Sequence, residues 1–179
     1  MDATLSEPEL VRAARHGDRA AFGHLFQLYG RTIHGVLMAH VPGHEVDDLV
    51  QDVFLLAMRN LTALKDDMAF GGWLVMIARN RAHDWRRRKR PESELAEASD
   101  VAAPTTSPQA SAEAAEVLAA VRALPGSYRE TLVLRLVEGM SGPEIAARTG
   151  MTHGSVRVNL HRGMQLLRDQ LHGRRAHEA

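Results

Sequence analysis

The chain has no cysteine, only two tryptophans and two tyrosines, and no net charge, its 22 basic side chains balancing 22 acidic ones. Without cysteine there can be neither a disulfide framework nor a thiolate zinc site. No window approaches the ~18 consecutive apolar residues of a membrane-spanning helix. The opening MDATLSEPELV has neither the basic start nor the apolar run of a secretion signal. The expectation is a soluble, cytoplasmic protein with no membrane insertion. There is no Gly-rich phosphate loop and no evident nucleophile–base pair, so no catalytic residue, cofactor or small-molecule substrate is expected. His40 and His44 have the i, i+4 spacing of a metal pair, but Pro42-Gly43 between them breaks the helix such a site needs, and no metal is expected either.

What is present is charge in blocks. Residues 1–78 carry a net −4, residues 79–90 a net +6, residues 91–116 a net −6 and residues 117–179 a net +4. A neutral chain with its charges sorted in this way has surfaces for two kinds of partner, an anion such as nucleic acid and a basic protein face. Hydrophobic residues make up 45% of the chain, enough for a packed core.

The periodicity is helical throughout, and alternating strand patterns are absent. Apolar residues at 46, 49, 50, 53, 54, 57, 58 and 61 follow one helical face, and Phe22, Leu25, Phe26, Tyr29, Ile33, Val36, Leu37 and His40 follow another. Val41-Pro42-Gly43 should end the second of these helices. Ser6…Glu9, Ser127…Glu130 and Ser141…Glu144 have the spacing of capping boxes, and Gly17, Gly139 and Gly150 stand where helices should end. The segment PESELAEASDVAAPTTSPQASA is rich in Ala, Ser, Pro and Glu, has no aromatic residue and reads as a solvated linker. The predicted fold is all-α: a helical domain over residues 1–90, a flexible linker over 91–112, a second helical domain over 113–173 and a tail over 174–179.

Three stretches carry functional signal. In SGPEIAARTGMTHGSVRVNLHRGMQLLRDQL, a Ser141 cap, a turn at Gly150 and a Thr152 cap describe a helix-turn-helix, with Ile145, Ala146, Val156 and Leu160 in the angle between the helices. Val156, Leu160, Leu167 and Leu171 should face inward, leaving His153, Ser155, Arg157, Asn159 and Arg162 outward for base edges and phosphates. In FGGWLVMIARNRAHDWRRRKR, the residues Phe70, Trp73, Leu74, Ile77 and Ala78 fit one buried stripe, which continues through Arg81, Ala82 and Trp85 into five consecutive cations. Basic residues neutralise phosphates and exposed aromatics stack on unpaired bases. In HEVDDLVQDVFLLAMRNL, the outward face gathers Glu45, Asp48, Asp52, Leu55 and Arg59, an apolar centre with a charged rim suited to a protein partner.

Taken in order, these stretches resemble the extracytoplasmic-function sigma factors, the small two-domain initiation factors of bacterial RNA polymerase. The resemblance runs from about Ala21 to Leu171. DDLVQDVFLLA is similar to the region 2 helix that binds the polymerase clamp, FGGWLVMIARNRAHDWRRR to the segment that engages the minus-ten element, and residues 123–168 to region 4, which reads the minus-thirty-five element. It implies that Asp48, Gln51 and Asp52 bind core polymerase beside Leu55, with Phe54 supporting them from the core. Trp73, Arg79, Asn80, Asp84, Arg87 and Arg88 would engage and open the minus-ten region, and residues 65–70 would capture an extruded base. The implied partners are bacterial core RNA polymerase, promoter DNA and an anti-sigma factor. The chain departs from the family pattern at Val158 and Asn159, where Ser and Arg are common, and at Met164, where Arg is common. A stand-alone helix-turn-helix regulator would account for residues 117–172 alone, not for the acidic face or the Trp-containing basic helix.

Overall fold

The computed structural model describes residues 5–89 and 108–177, with side chains described up to residue 173 and from residue 114 in the second part. Most of the linker 91–112, Arg90 at the end of the basic run and the last two residues of the tail lie outside the described residues. Among the described residues there is no strand. Helices α1 (Glu7–Arg15), α2 (Arg19–Met38) and α3 (Gly43–Asn60) are followed by two 3₁₀ turns, Leu61–Ala63 and Asp67–Ala69, and by α4 (Phe70–Lys89). The second part holds α5 (Pro108–Arg122), α6 (Gly126–Leu136), α7 (Gly142–Thr149) and α8 (His153–His177). The backbone of α5 begins inside the stretch that reads as linker.

The local signals explain most boundaries. The Glu9 carboxylate accepts from the Ser6 backbone N–H at 2.7 Å, and Glu144 does the same for Ser141 at 2.7 Å, so both capping boxes form. Gly17, Gly139 and Gly150 have φ of 95°, 66° and 71°, the left-handed values that end a helix cheaply only at glycine. The third capping box does not form. Pro125 caps α6, which starts at Gly126, so Ser127 already lies inside the helix and Glu130 is free to reach elsewhere. His40 also falls outside the helix it extends in pattern, because α2 ends at Met38, ahead of the Pro42-Gly43 break.

Leu25, Tyr29, Ile33, Val36 and Leu37 of α2 meet Val46, Val53, Phe54 and Ala57 of α3 and Phe70, Leu74, Val75 and Ala78 of α4 in one buried core. Helix α1 closes this bundle through Leu10 and Val11. The α4 stripe is rotated from the sequence expectation. Its buried residues are Phe70, Gly71, Leu74, Val75, Ala78 and Ala82, while Trp73 and Ile77 sit half-buried at the margin. Phe26 is exposed on the rim, where its ring lies 4.5 Å from that of Phe54.

The two helical parts are not separate cores. Leu134, Met140, Ile145, Ala146 and Val156 of the second part belong to the same buried cluster as the first. A smaller cluster joins Ala39 to Ala120, Val121, Leu124, Leu132, Val133 and Leu167. Close approach depends on glycine. A Cβ on Gly35 would lie 2.8 Å from Glu138 Cγ and 2.8 Å from Leu134 Cδ2, and one on Gly71 would lie 2.8 Å from the Arg148 carbonyl oxygen.

Candidate nucleic-acid and protein interfaces

Helix α3 presents Asp48, Gln51, Asp52 and Leu55 to solvent while Phe54 is buried beneath them. The exposed Leu55, at 47%, and Met58, at 48%, give this face an apolar centre. Asp52 is not free: the Arg81 guanidinium of α4 pairs with its carboxylate, tying the acidic face to the basic helix. Exposed pairs of this sort contribute ~0–1 kcal/mol, so a partner can displace Arg81 cheaply.

Helix α4 turns Arg79, Asn80, Arg86, Arg87 and Arg88 outward, and Asp84 pairs with Arg87 at 3.3 Å. The preceding turn holds Met68, 75% exposed, at its tip. That turn is pinned from α1, which sequence reasoning missed. Arg12 Nε donates to Asp67 at 3.0 Å and Arg15 Nη2 at 2.6 Å, while Asp66 accepts from the Met68 N–H at 2.9 Å. Desolvation raises the Asp67 pKa, but the two arginines outweigh it and hold the carboxyl below its ordinary value.

In the second part, His153, Ser155, Arg157 and Arg162 are exposed along α8. The Thr152 hydroxyl accepts from the Ser155 N–H at 3.1 Å, which starts the helix where the cap signal predicts. His153 and Arg157 border a cleft of about 460 Å³ floored by Pro143, Val156 and Leu160. Asn159 differs from expectation. It is half-buried, and its side-chain amide donates to Thr131 Oγ1 at 3.4 Å, so it braces α8 against α6.

From the second part, α7 packs on α4 and α6 reaches it through a side-chain pair. Arg79 Nε and Nη2 donate to the two Glu130 oxygens at 3.0 and 2.6 Å, a bidentate pair. His40 Nε2 lies 3.4 Å from the same carboxylate. Burial raises the Glu130 pKa, but the hydrogen bonds and charges of His40 and Arg79 overcome it and hold Glu130 below the usual carboxylate range. The pairing in turn raises Arg79. A cleft of about 660 Å³ opens beside this pair, lined by Arg79, Asn80, His83, Arg86 and Ser127 among others. Nearby, Arg122 donates to the Met38 and Val41 carbonyls at 3.2 and 3.1 Å, and Arg129 to the Ala39 carbonyl at 3.2 Å, capping α2 from the other part. Among the described residues, no three His, Asp or Glu side chains converge as metal ligands would, and no helix is long and apolar enough to cross a membrane.

Comparison with known proteins matches residues 25–92 to Sigma-70 region 2 and residues 114–167 to Sigma-70, region 4. The chain is 33% identical over 159 residues to the RNA polymerase sigma factor NccH of Alcaligenes xylosoxydans xylosoxydans, covering 82% of this chain and 84% of that one. It is also 33% identical over 161 residues to the RNA polymerase sigma factor CarQ of Myxococcus xanthus, covering 88% and 92%. Among solved structures it is similar to CnrH in complex with the cytosolic domain of CnrY, with a TM-score of 0.61, 29% identity, and coverage of 93% of this chain and 97% of that one.

Proposed function

Because the chain belongs to the extracytoplasmic-function sigma factors of the sigma-70 family, we propose how its helices divide the work of transcription initiation. As a sigma factor it directs bacterial core RNA polymerase to promoters. In our reading, residues 1–90 act as region 2 and residues 113–173 as region 4, joined through 91–112. The α3 face of Asp48, Gln51, Asp52 and Leu55 docks on the polymerase clamp, its carboxylates meeting basic side chains around an apolar centre. Helix α4 engages the minus-ten element. Arg79, Arg87 and Arg88 neutralise phosphates, Asn80 bonds a base edge, and Asp84 holds Arg87 in place. Trp73, rooted on Phe70 with ring centroids 6.0 Å apart, offers a ring edge for unpaired bases. The Met68 turn receives an extruded base.

The observation that carries this reading is the construction of α4. One face is anchored in the core while the exposed Asn80, Arg87 and Arg88 share the other, directly beside the docking helix. Polymerase docking thereby delivers the basic face to the template. Region 4 reads the minus-thirty-five element through His153, Ser155 and Arg157, with Arg162 on phosphate; Asn159 acts from behind as a brace. The protein acts in the cytoplasm, where promoter DNA lies, as an initiation factor and not as an enzyme. An anti-sigma factor is a further partner; the similar CnrH forms a complex with the cytosolic domain of CnrY. Runoff transcription from a promoter library, with core polymerase and with or without this protein, tests the reading. Specific transcripts should appear only with the protein. Asp48→Arg with Asp52→Arg should abolish association with core while circular dichroism stays unchanged, and wild-type affinity in that folded double variant would remove the clamp assignment.

A further inference from the structure

Two positions on the outer face of α8 are not explained by the fold. Gly154 stands in the first turn of the helix, where a glycine costs stability. Nothing within the chain requires it there. Its backbone is not left-handed, and a Cβ on it would meet no neighbouring atom closer than Thr152 Oγ1 at 4.0 Å. The space spared by this glycine therefore lies outside the protein. Val158 follows one turn later, 43% exposed and part of neither buried cluster. At about 100° per residue it lies about 200° round from the buried Val156, so Gly154 and Val158 form the pole opposite the core side. Arg157 and His161 flank that pole on one side, Ser155 and Arg162 on the other, all four exposed. Arg157, Val158, His161 and Arg162 line an open notch of about 270 Å³. A bare backbone, an apolar tip and a cationic rim complement a major groove in which a thymine methyl stands between two rows of phosphates.

We infer that Val158 reads a thymine in the minus-thirty-five element. Its methyls pack on the C5 methyl of the base, and Gly154, lacking a Cβ, lets the helix lie close enough for this short side chain to reach. The inference rests on the assignment of α8 to that element and adds to it a base and the atom that distinguishes it. Arg157 and Arg162 supply hydrogen bonds and charge, but no hydrogen bond separates thymine from uracil. An apolar contact does, through the methyl alone.

Holoenzyme assembled from core polymerase and the full chain can select binders from duplex promoters randomised over the minus-thirty-five element. Wild type, Val158→Ser and Arg157→Ala are compared. Serine and valine have similar helix propensity and Val158 packs in neither cluster, so Val158→Ser should keep the fold. The wild-type preference should include a thymine that Val158→Ser no longer selects, with its other positions retained. Replacing that thymine by deoxyuridine removes the methyl and keeps every hydrogen-bonding group. It should weaken wild-type binding about fourfold, the effect of burying one methyl, and leave Val158→Ser unchanged. Gly154→Ala, whose added methyl the chain itself accommodates, should blunt the deoxyuridine effect by holding the helix off the groove. An unchanged preference in Val158→Ser, or an equal deoxyuridine effect in both proteins, overturns the methyl contact. Arg157→Ala then locates the error: an altered preference leaves α8 on the element, and an unaltered one in both variants removes it. A full deoxyuridine effect in Gly154→Ala overturns the role given to Gly154.

Discussion

At the scale of single residues, Trp73, Leu74 and Asn80 are near neighbours on one helix that should respond in opposite ways. Leu74 is fully buried, so Leu74→Ala should cost ~2–5 kcal/mol, measured by urea unfolding. Trp73 is only half-buried, so its truncation should cost less than the ~3–5 kcal/mol of a fully buried aromatic, and its main effect should fall on open-complex formation. Asn80→Ala should change stability by under ~0.5 kcal/mol, as expected of an exposed polar residue, yet slow promoter opening. A promoter pre-melted across the minus-ten element should restore its activity. Failure of that rescue would move Asn80 out of strand opening. The helical period placed Leu74 in the core but misjudged Trp73, because a stripe of only five residues over 70–78 leaves the rotation of a helix loosely defined. Glu130 was misread for another reason. Ser127 and Glu130 have capping spacing, but Pro125 had already started the helix, and the partner that Glu130 takes lies 51 residues away.

At the scale of elements, the start of α8 and the ends of α1 and α7 were legible because capping chemistry is local. The contacts of α6 were not, because they join segments far apart in the chain. These contacts carry a pH dependence. The hydrogen bond to Glu138 raises the His34 pKa; burial opposes it, and the charges of Glu138 and of Asp47 on α3 add to the rise. Arg31, on the same helix as His34, shares Glu138 and favours neutral imidazole. Since His34 titrates higher in the folded chain, its stabilisation is full below the ordinary histidine value of 6.5 and is lost as pH rises through the raised value. Glu130, held below 4.5, stabilises the fold above that value, and its contribution is lost only as pH falls through its own lowered pKa. The thermal midpoint of the chain, followed by circular dichroism, should therefore fall from pH 6 to pH 8, and His34→Gln should flatten the slope. An undiminished slope in that variant would assign the effect to another group.

At the scale of the whole molecule, the two parts share a core, and their unfolding should show it. Leu134, Ile145 and Val156 are at most 1% exposed and lie in the cluster built by α2, α3 and α4. Separating the parts returns this apolar surface to water at ~25 cal/mol per Å², along with the half-buried Arg79–Glu130 pair. Small helical units of this size have little stability to spare, so a shared core couples their melting. Scanning calorimetry of the wild-type chain should give one transition whose calorimetric and van't Hoff enthalpies agree. Gly35→Leu, which forces α6 off α2, should split it into two. Its region 2 transition should shift little, because Gly35 lies inside α2, where leucine is the better helix former. Two resolved transitions in the wild-type chain would mean that the shared cluster contributes too little to couple the parts.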